Sequence, residues 1–280
     1  MGVASWPLPR IFLRVPENPT PQNNTSLNPT ERFSDRVTDY VRCRPRYPDG
    51  LIPLIRKHTG LTPDWIVADV GSGTGISAEP FLRNGNIVFA VEPNRAMRAA
   101  AEQLMAEWNG FRSVDGSAEN TTLPSDSIDL IVVGQAFHWF DRARAREEFK
   151  RIGRANCWIV LVWNRRETTT TPFLEAYEAL VARFGTDYQQ VRHDRIDTAV
   201  LADFFQSDFS IRQLPNNQDF DLAGLSGRLL SSSYTPGPND PRRQPMLQEL
   251  RGIFGQHQRD GRVRFDYVTE IVVGRLGSPE

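Results

Sequence analysis

Trp65-Ile66-Val67-Ala68-Asp69-Val70-Gly71-Ser72-Gly73-Thr74-Gly75 is the stretch that decides the fold. An apolar run ends in a carboxylate and then turns through three closely spaced glycines into helix-forming sequence. Glycine has no Cβ, so its backbone can approach a ligand closely and take conformations closed to other residues. Strand, glycine turn and helix start together build a nucleotide pocket. The spacing of the glycines separates the nucleotide classes. A dinucleotide fingerprint reads G-x-G-x-x-G, with pyrophosphate on the helix N-terminus. Here the glycines are Gly71, Gly73 and Gly75, and Ile76 stands where the last dinucleotide glycine would be. Asp69 ahead of such a turn suits a ligand with no phosphate and a positively charged amino-acid end. Taken alone, the glycines are also compatible with an ordinary tight turn.

The flanking sequence strengthens the ligand reading. Ile87-Val88-Phe89-Ala90-Val91 is a continuous apolar run, as expected of a parallel strand buried on both faces. Glu92 closes that strand about twenty residues beyond the turn, the interval at which nucleotide folds place a ribose-binding acid. Its carboxylate can accept both ribose hydroxyls of an adenosine. Pro93 and Asn94 break the strand, and Arg95 to Trp108 reads as a helix rich in Ala, Met and Glu. Met97 is placed either to pack on the adenine or to fill core. Adenosine at one end and a cationic amino acid at the other describe S-adenosylmethionine.

With these residues the chain resembles the class I S-adenosylmethionine-dependent methyltransferases, over roughly Glu31 to Glu280 and most specifically from Val67 to Trp163. Two further motifs bring it nearer to small-molecule enzymes of the trans-aconitate methyltransferase type. Tyr40-Val41-Arg42-Cys43-Arg44-Pro45-Arg46-Tyr47-Pro48 is similar to a Y-x-x-x-R-P-x-Y-P pattern, and His138-Trp139-Phe140-Asp141 to an H-W-F-D pattern. The resemblance implies a Rossmann-like, doubly wound, seven-stranded α/β sheet, mostly parallel with an antiparallel last strand. It also implies N-terminal lid helices and places substrate selection in a helical insertion after the fifth strand.

Composition and rhythm fit one such domain. The 280 residues are 39% hydrophobic, enough to bury a large core, and the formal net charge of −1 gives no basic field for nucleic acid. No apolar stretch approaches membrane-spanning length, and Ile11-Phe12-Leu13 is too short for a signal-peptide core. With only Cys43 and Cys157, a reduced, cytoplasmic protein is expected. Residues 1–30, rich in Pro, Asn and Thr, read as a disordered or loosely attached extension. Residues 31–280 read as a single domain, with 31–60 as lid helices and 164–207 as the substrate-region insertion. Strands are expected at Phe111–Val114, Ile128–Val133, Trp158–Trp163, Phe209–Leu214 and Tyr267–Arg275. Helices are expected at Asp49–His58, Ala143–Ile152, Pro172–Phe184, Asp197–Phe205 and Met246–Gln256.

The candidate cofactor residues are Tyr40, Arg44, Asp69, Gly71, Gly73, Gly75, Glu92, Pro93, Met97, Ser117, Ala118 and Gln135. The resemblance implies that the turn Asp115-Gly116-Ser117-Ala118 sets the adenine, through the Ser117 hydroxyl and the Ala118 backbone N–H. Many relatives carry Asp where this chain has Ser117. Arg44, ahead of Pro45, is placed by resemblance to pair with the methionine carboxylate or an acidic substrate. Gln135 is expected near the methionine end. The end of the fourth strand lacks the N/D-P-P-Y motif of base and glutamine N-methylation and reads Gly134-Gln135-Ala136-Phe137-His138 instead. His138 can serve as a general base or as a packed residue shaping the pocket. No metal-ligand spacing occurs. The expected reaction is methyl transfer to a small organic molecule, with a carboxylic acid oxygen as acceptor or, alternatively, a carbon or nitrogen of a natural-product scaffold. A non-catalytic cofactor-binding protein and a nicotinamide oxidoreductase are the rivals, the latter disfavoured by Ile76. The sequence leaves the oligomeric state open.

Overall fold

β1 (Ile66–Val70) is hydrogen-bonded in parallel to β2 (Ile87–Val91) on one side and to β4 (Ile128–Gly134) on the other. The computed structural model describes residues 44–186, 197–232 and 234–277. β3 (Phe111–Val114) extends the sheet beyond β2, and β5 (Gly153–Arg166) pairs in parallel with β4. β7 (Val263–Gly274) lies antiparallel between β5 and β6 (Phe209–Phe220), so β6 is an edge strand. The sheet order is β3-β2-β1-β4-β5-β7-β6. The strand order reverses between β1 and β4. In open α/β sheets that reversal opens the ligand crevice, at the strand C-termini.

Alternate residues of the central strands feed two cores on opposite faces of the sheet. Val67, Leu130, Val132, Val160 and Val162 pack with Leu51 and Ile55 of α1 (Leu51–Thr59) and Phe81 of α2 (Ala78–Arg83). Ala68, Val70, Ile131, Val133 and Leu161 pack with Phe149 of α4 (Arg142–Ile152) and Phe204 of α6 (Thr198–Phe205). Burial on both faces accounts for the uninterrupted apolar strands. A third cluster stands apart from these two. It joins α5 (Pro172–Phe184), α7 (Leu222–Leu230) and α8 (Arg243–His257) to Phe220, Phe265 and Tyr267 on the protruding ends of β6 and β7.

Several boundaries differ from the sequence expectation for identifiable reasons. α3 (Arg95–Leu104) stops short of Trp108, because Met105 turns into the core beneath Gly75 and the chain must reach β3. β6 continues through Pro215, which an edge strand tolerates because no ladder N–H is needed on its free side. β5 begins at Gly153, five residues before Trp158, and runs past Trp163 to Arg166. β7 starts at Val263 rather than Tyr267. α7 was not expected, since Gly224 and Gly227 lower its helical propensity; the Asp221 side chain caps it by accepting from the Gly224 N–H. Tyr40, Arg42, Cys43, His193 and the 1–30 extension lie outside the described residues. Among the described residues no helix is long and apolar enough to cross a membrane.

Candidate active site

The glycine turn and the end of β2 meet directly. The Gly73 N–H donates to Glu92 Oε2 at 2.9 Å, and the Asn94 N–H to Oε1 at 2.8 Å. Each carboxylate oxygen keeps a lone pair for a further donor. Burial pushes the Glu92 carboxyl above its usual range, opposed by these backbone bonds and the Arg98 charge. Gly71, Gly73 and Gly75 all have positive φ, of 71°, 56° and 87°. A Cβ on Gly71 would lie 2.6 Å from the Ala136 Cβ, so this turn is specific to glycine twice over.

Asp69 sits beneath the turn, fully buried at 0% exposure. Both its oxygens accept from Ser77 Oγ, at 2.9 and 2.8 Å. Ser77 precedes α2, so the carboxylate ties the end of β1 to the start of the next helix. Burial raises its pKa to about 7; the Ser77 bond opposes this and the Glu92 charge adds to it. The hydroxyls of Ser72 and Thr74 are buried in the same turn without a hydrogen-bond partner among the described residues. Orphaned buried hydroxyls cost free energy, so a ligand with polar groups belongs against this turn.

The end of β4 forms the opposite wall. Gly134 leaves room that a side chain would fill: a Cβ there would lie 2.6 Å from Ser77 Cβ and 2.8 Å from the Tyr47 hydroxyl. Gln135 follows with φ of 60°, in a region unfavourable for a residue with a side chain. It is held there by its N–H to Val162 O at 3.0 Å. Such strained residues cluster at functional sites. A cavity of about 40 Å³ is lined by Arg44, Pro45, Tyr47, the turn residues from Gly71 to Thr74 with Ile76 and Ser77, and Gly134 and Gln135. It thus brings Arg44 and Gln135 together with the glycine turn. A larger groove of about 420 Å³ lies on the far side of Tyr47 and Ile76, between α1 and α2. None of its lining residues belongs to the ends of β2 or β4, whereas the smaller cavity adjoins both the glycine turn and the end of β4.

The segment from Arg44 to Tyr47 is pinned by side chains from the long strands. Asn164 Nδ2 donates to Pro45 O and Arg46 O, both at 3.3 Å, and Asn216 Nδ2 to Arg46 O at 2.8 Å. Gln218 Nε2 reaches Arg44 O at 3.4 Å, while Arg44 Nη2 donates to Ser231 O at 3.1 Å. Asn164 Oδ1 accepts from Thr269 Oγ1 at 2.6 Å and from Asn216 Nδ2 at 3.1 Å. Asn164, Asn216 and Gln218 were missed by sequence reasoning, although the inward period-2 alternation of Leu214, Asn216, Gln218 and Phe220 was there to find.

The remaining candidates are spread around this cavity and the turns beside it. Met97 is buried at the start of α3, where Asn94 caps the helix by accepting from the Ala96 and Met97 N–H groups. Pro93 is exposed between Glu92 and that cap. Ser117 pairs its backbone with Asn120, and Ala118 packs its methyl into the core. His138 lies in a 3-10 turn (Phe137–Trp139), its ring 4.7 Å from that of Trp139 and its Nδ1 buried. Arg165 is exposed, and Arg166 is paired with Glu178 at 2.6 Å. Among the described residues no group of His, Cys, Asp and Glu could hold a metal ion.

Residues 68–161 match a family described as a methyltransferase domain. An uncharacterized methyltransferase-like protein of Schizosaccharomyces pombe is 31% identical over 159 residues, 55% of this chain and 59% of its own. An uncharacterized methyltransferase of Mycobacterium bovis is 36% identical over 143 residues, 48% of this chain and 53% of its own. The chain therefore spans little more than half the length of these relatives. A candidate type II methyltransferase of Anaeromyxobacter dehalogenans superposes with a TM-score of 0.58 at 22% identity, covering 84% of this chain and 99% of that one. A candidate S-adenosylmethionine-dependent methyltransferase of Methanococcus maripaludis gives 0.52 at 15% identity, covering 93% and 99%. The fold is that of the class I methyltransferases.

Proposed function

We propose that this chain transfers the methyl group of S-adenosylmethionine to a small organic acceptor. The observation that carries the reading is the Gly73 N–H bound to the Glu92 carboxylate across the ends of β1 and β2. It places a carboxylate with spare lone pairs beside a side-chain-free turn, which is what the two ribose hydroxyls of an adenosine need. Ser117 and the Ala118 N–H are assigned to the adenine, with Met97 against its face. Arg44, Gln135 and the Ser72 and Thr74 hydroxyls are assigned to the amino-acid end. Asp69 acts through Ser77, fixing the turn and supplying negative charge beneath a cationic ligand. Tyr40 is assigned to the cover of the same site by its place in the motif it shares with Arg44.

The sulfonium supplies an activated methyl group, so no covalent intermediate on the protein is required. This chain's residues bind and orient. Gly134 lets the Tyr47 hydroxyl and Ser77 close over the strand end, which holds the reacting groups in line and keeps water out. An acceptor carboxylate is already ionised at neutral pH and needs no base. That agrees with an O-methylating enzyme of the trans-aconitate type. Where the acceptor is a phenol or carbon acid, His138 is the base.

Calorimetric titration with S-adenosylhomocysteine tests the site. Glu92→Ala is expected to weaken binding by about tenfold to a hundredfold, the loss of charge-assisted bonds worth ~1–3 kcal/mol. Unchanged affinity sinks the assignment. Incubation of a metabolite pool with methyl-labelled cofactor, followed by mass spectrometry, tests the acceptor. Base-labile methyl esters are expected; products carrying only C–CH₃ or N–CH₃ groups overturn the carboxylate reading.

A further inference from the structure

Arg228, on α7, is a cation in the wrong place for solvation. It is 6% exposed, and no carboxylate lies within ion-pair distance of it among the described residues. Its Nε donates to the Tyr267 hydroxyl at 3.3 Å and its Nη1 to Ser232 Oγ at 3.1 Å. Neither partner carries charge. Its Nη2 meets no protein acceptor among the described residues. Burying a guanidinium without a counter-charge is costly unless something supplies one. The neighbouring Arg166 is different, because Glu178 balances it at 2.6 Å.

A second observation points the same way. The Tyr177 hydroxyl is buried with no hydrogen-bond partner among the described residues, and the positive charges of Arg228 and Arg166 both act on it. Burial pushes that hydroxyl well above its ordinary range, so it stays neutral and offers a proton to an acceptor. The place adjoins the cofactor cavity through a single chain of bonds. Arg228 donates to Tyr267, whose hydroxyl donates to Gln218 Oε1 at 3.3 Å, and Gln218 reaches Arg44 O.

We infer that Arg228 and Tyr177 form a subsite for a carboxylate of the acceptor molecule. One guanidinium edge and one neutral hydroxyl match the single charge and two oxygens of a carboxylate; a phosphate dianion would need more. The carboxylate held there is an anchor and not the methylated group. Donors drain the nucleophilicity of the oxygens they hold, and Arg228 stands behind Arg44 rather than at the end of β4. The acceptor is therefore an organic acid with a carboxylate in addition to its reacting group. This rests on the methyltransferase reading above.

The test uses the full chain at constant ionic strength, titrated with benzoate, succinate and citrate, each against its neutral methyl ester. S-adenosylhomocysteine is titrated separately. At least one acid is expected to bind and its ester not to. Arg228→Lys should weaken the acid about tenfold or more, and Tyr177→Phe severalfold, with S-adenosylhomocysteine affinity unchanged in both. Tyr177→Phe removes a hydroxyl that bonds nothing among the described residues, so it keeps the fold even if Arg228→Lys does not. Acids that fail to bind, or that bind equally well to the Tyr177→Phe and folded Arg228→Lys proteins, overturn the subsite. Failure of the wild-type chain to bind S-adenosylhomocysteine overturns the transferase reading instead, and with it the role as an acceptor anchor.

Discussion

Asp69 has a carboxyl whose charge state is set by its surroundings more than by its chemistry. Burial raises its pKa from 3.8 to about 7, against the pull of the Ser77 hydroxyl. The folded chain therefore holds a proton that the unfolded chain gives up near 3.8. Stability from this group is present at low pH and is lost as pH rises from about 4 through 7. Asp69→Asn removes that penalty, and the ligand-free variant is expected to gain up to ~4 kcal/mol at pH 8, at about 1.4 kcal/mol per unit. Thermal melts at pH 5 and pH 8 read the difference. Cofactor binding should move oppositely, since an ionised Asp69 attracts a cationic ligand. Calorimetry on the wild type is expected to show affinity rising between pH 6 and 8, and the Asn variant to show no such rise. A flat wild-type profile would remove Asp69 from the electrostatics of the site. Asp69 and Glu92 were legible in the sequence because a glycine turn and a strand end are local features. Asn164 and Arg228 were not, because their partners lie far away in the chain and no spacing encodes them; Ser77 is local to Asp69, but nothing in the sequence marks its hydroxyl as that carboxylate's partner.

Between elements, the decisive contact is the strap from Arg44 to Tyr47 lying over the ends of β4 and β5. Gly134 allows it, and Asn164 holds it. In Gly134→Ala the new methyl meets Ser77 on one side and the Tyr47 hydroxyl on the other, with a β-strand backbone that cannot retreat. A loss of about 1–3 kcal/mol in stability is expected, the usual cost of overpacking. Weaker S-adenosylhomocysteine binding should accompany it. Chemical denaturation and calorimetry check the two effects, and a variant that keeps both values would show that the strap is not seated as described. Asn164→Ala frees the Pro45 carbonyl and leaves Arg46 O to Asn216 alone, so trypsin should cut after the exposed Arg46 more rapidly than in the wild type. At this scale the sequence spoke clearly for the parallel core. β2 and α5 fall where an apolar run and Pro172 placed them, and β3 has the bounds expected of it. It was silent on the reach of β6 and β7, whose extra residues are polar in alternation and face inward only where the strap meets Asn216 and Gln218 and where the third cluster takes up Phe220, Val263 and Phe265.

Across the molecule, the parallel part of the sheet and the helical extension have separate hydrophobic cores joined by three long strands. The two cores of the sheet are built mainly from β1, β2, β4 and β5, with Val272 of β7 in one and Ile271 and Val273 in the other, while the third gathers α5, α7 and α8 around Phe265. The Phe265 ring stands edge-on to Phe173 at 5.2 Å, to Tyr177 at 4.8 Å and to Phe220 at 5.6 Å. Deleting it leaves a cavity that rings of this stiffness cannot fill, so Phe265→Ala should cost ~3–5 kcal/mol. The separation of cores predicts where that loss appears. Amide exchange is expected to accelerate over Pro172–Phe184 and Leu222–His257 while β1, β2 and β4 keep their protection. S-adenosylhomocysteine affinity should stay near the wild-type value, because Glu92 and the glycine turn rest on the other two cores. Acceptor turnover should fall, because Tyr177 and Arg228 ride on α5 and α7. Equal acceleration of exchange in β1 and α5, or a parallel loss of S-adenosylhomocysteine binding, would show that the cores unfold as one. Cofactor and acceptor would then not be held by separable halves of the fold.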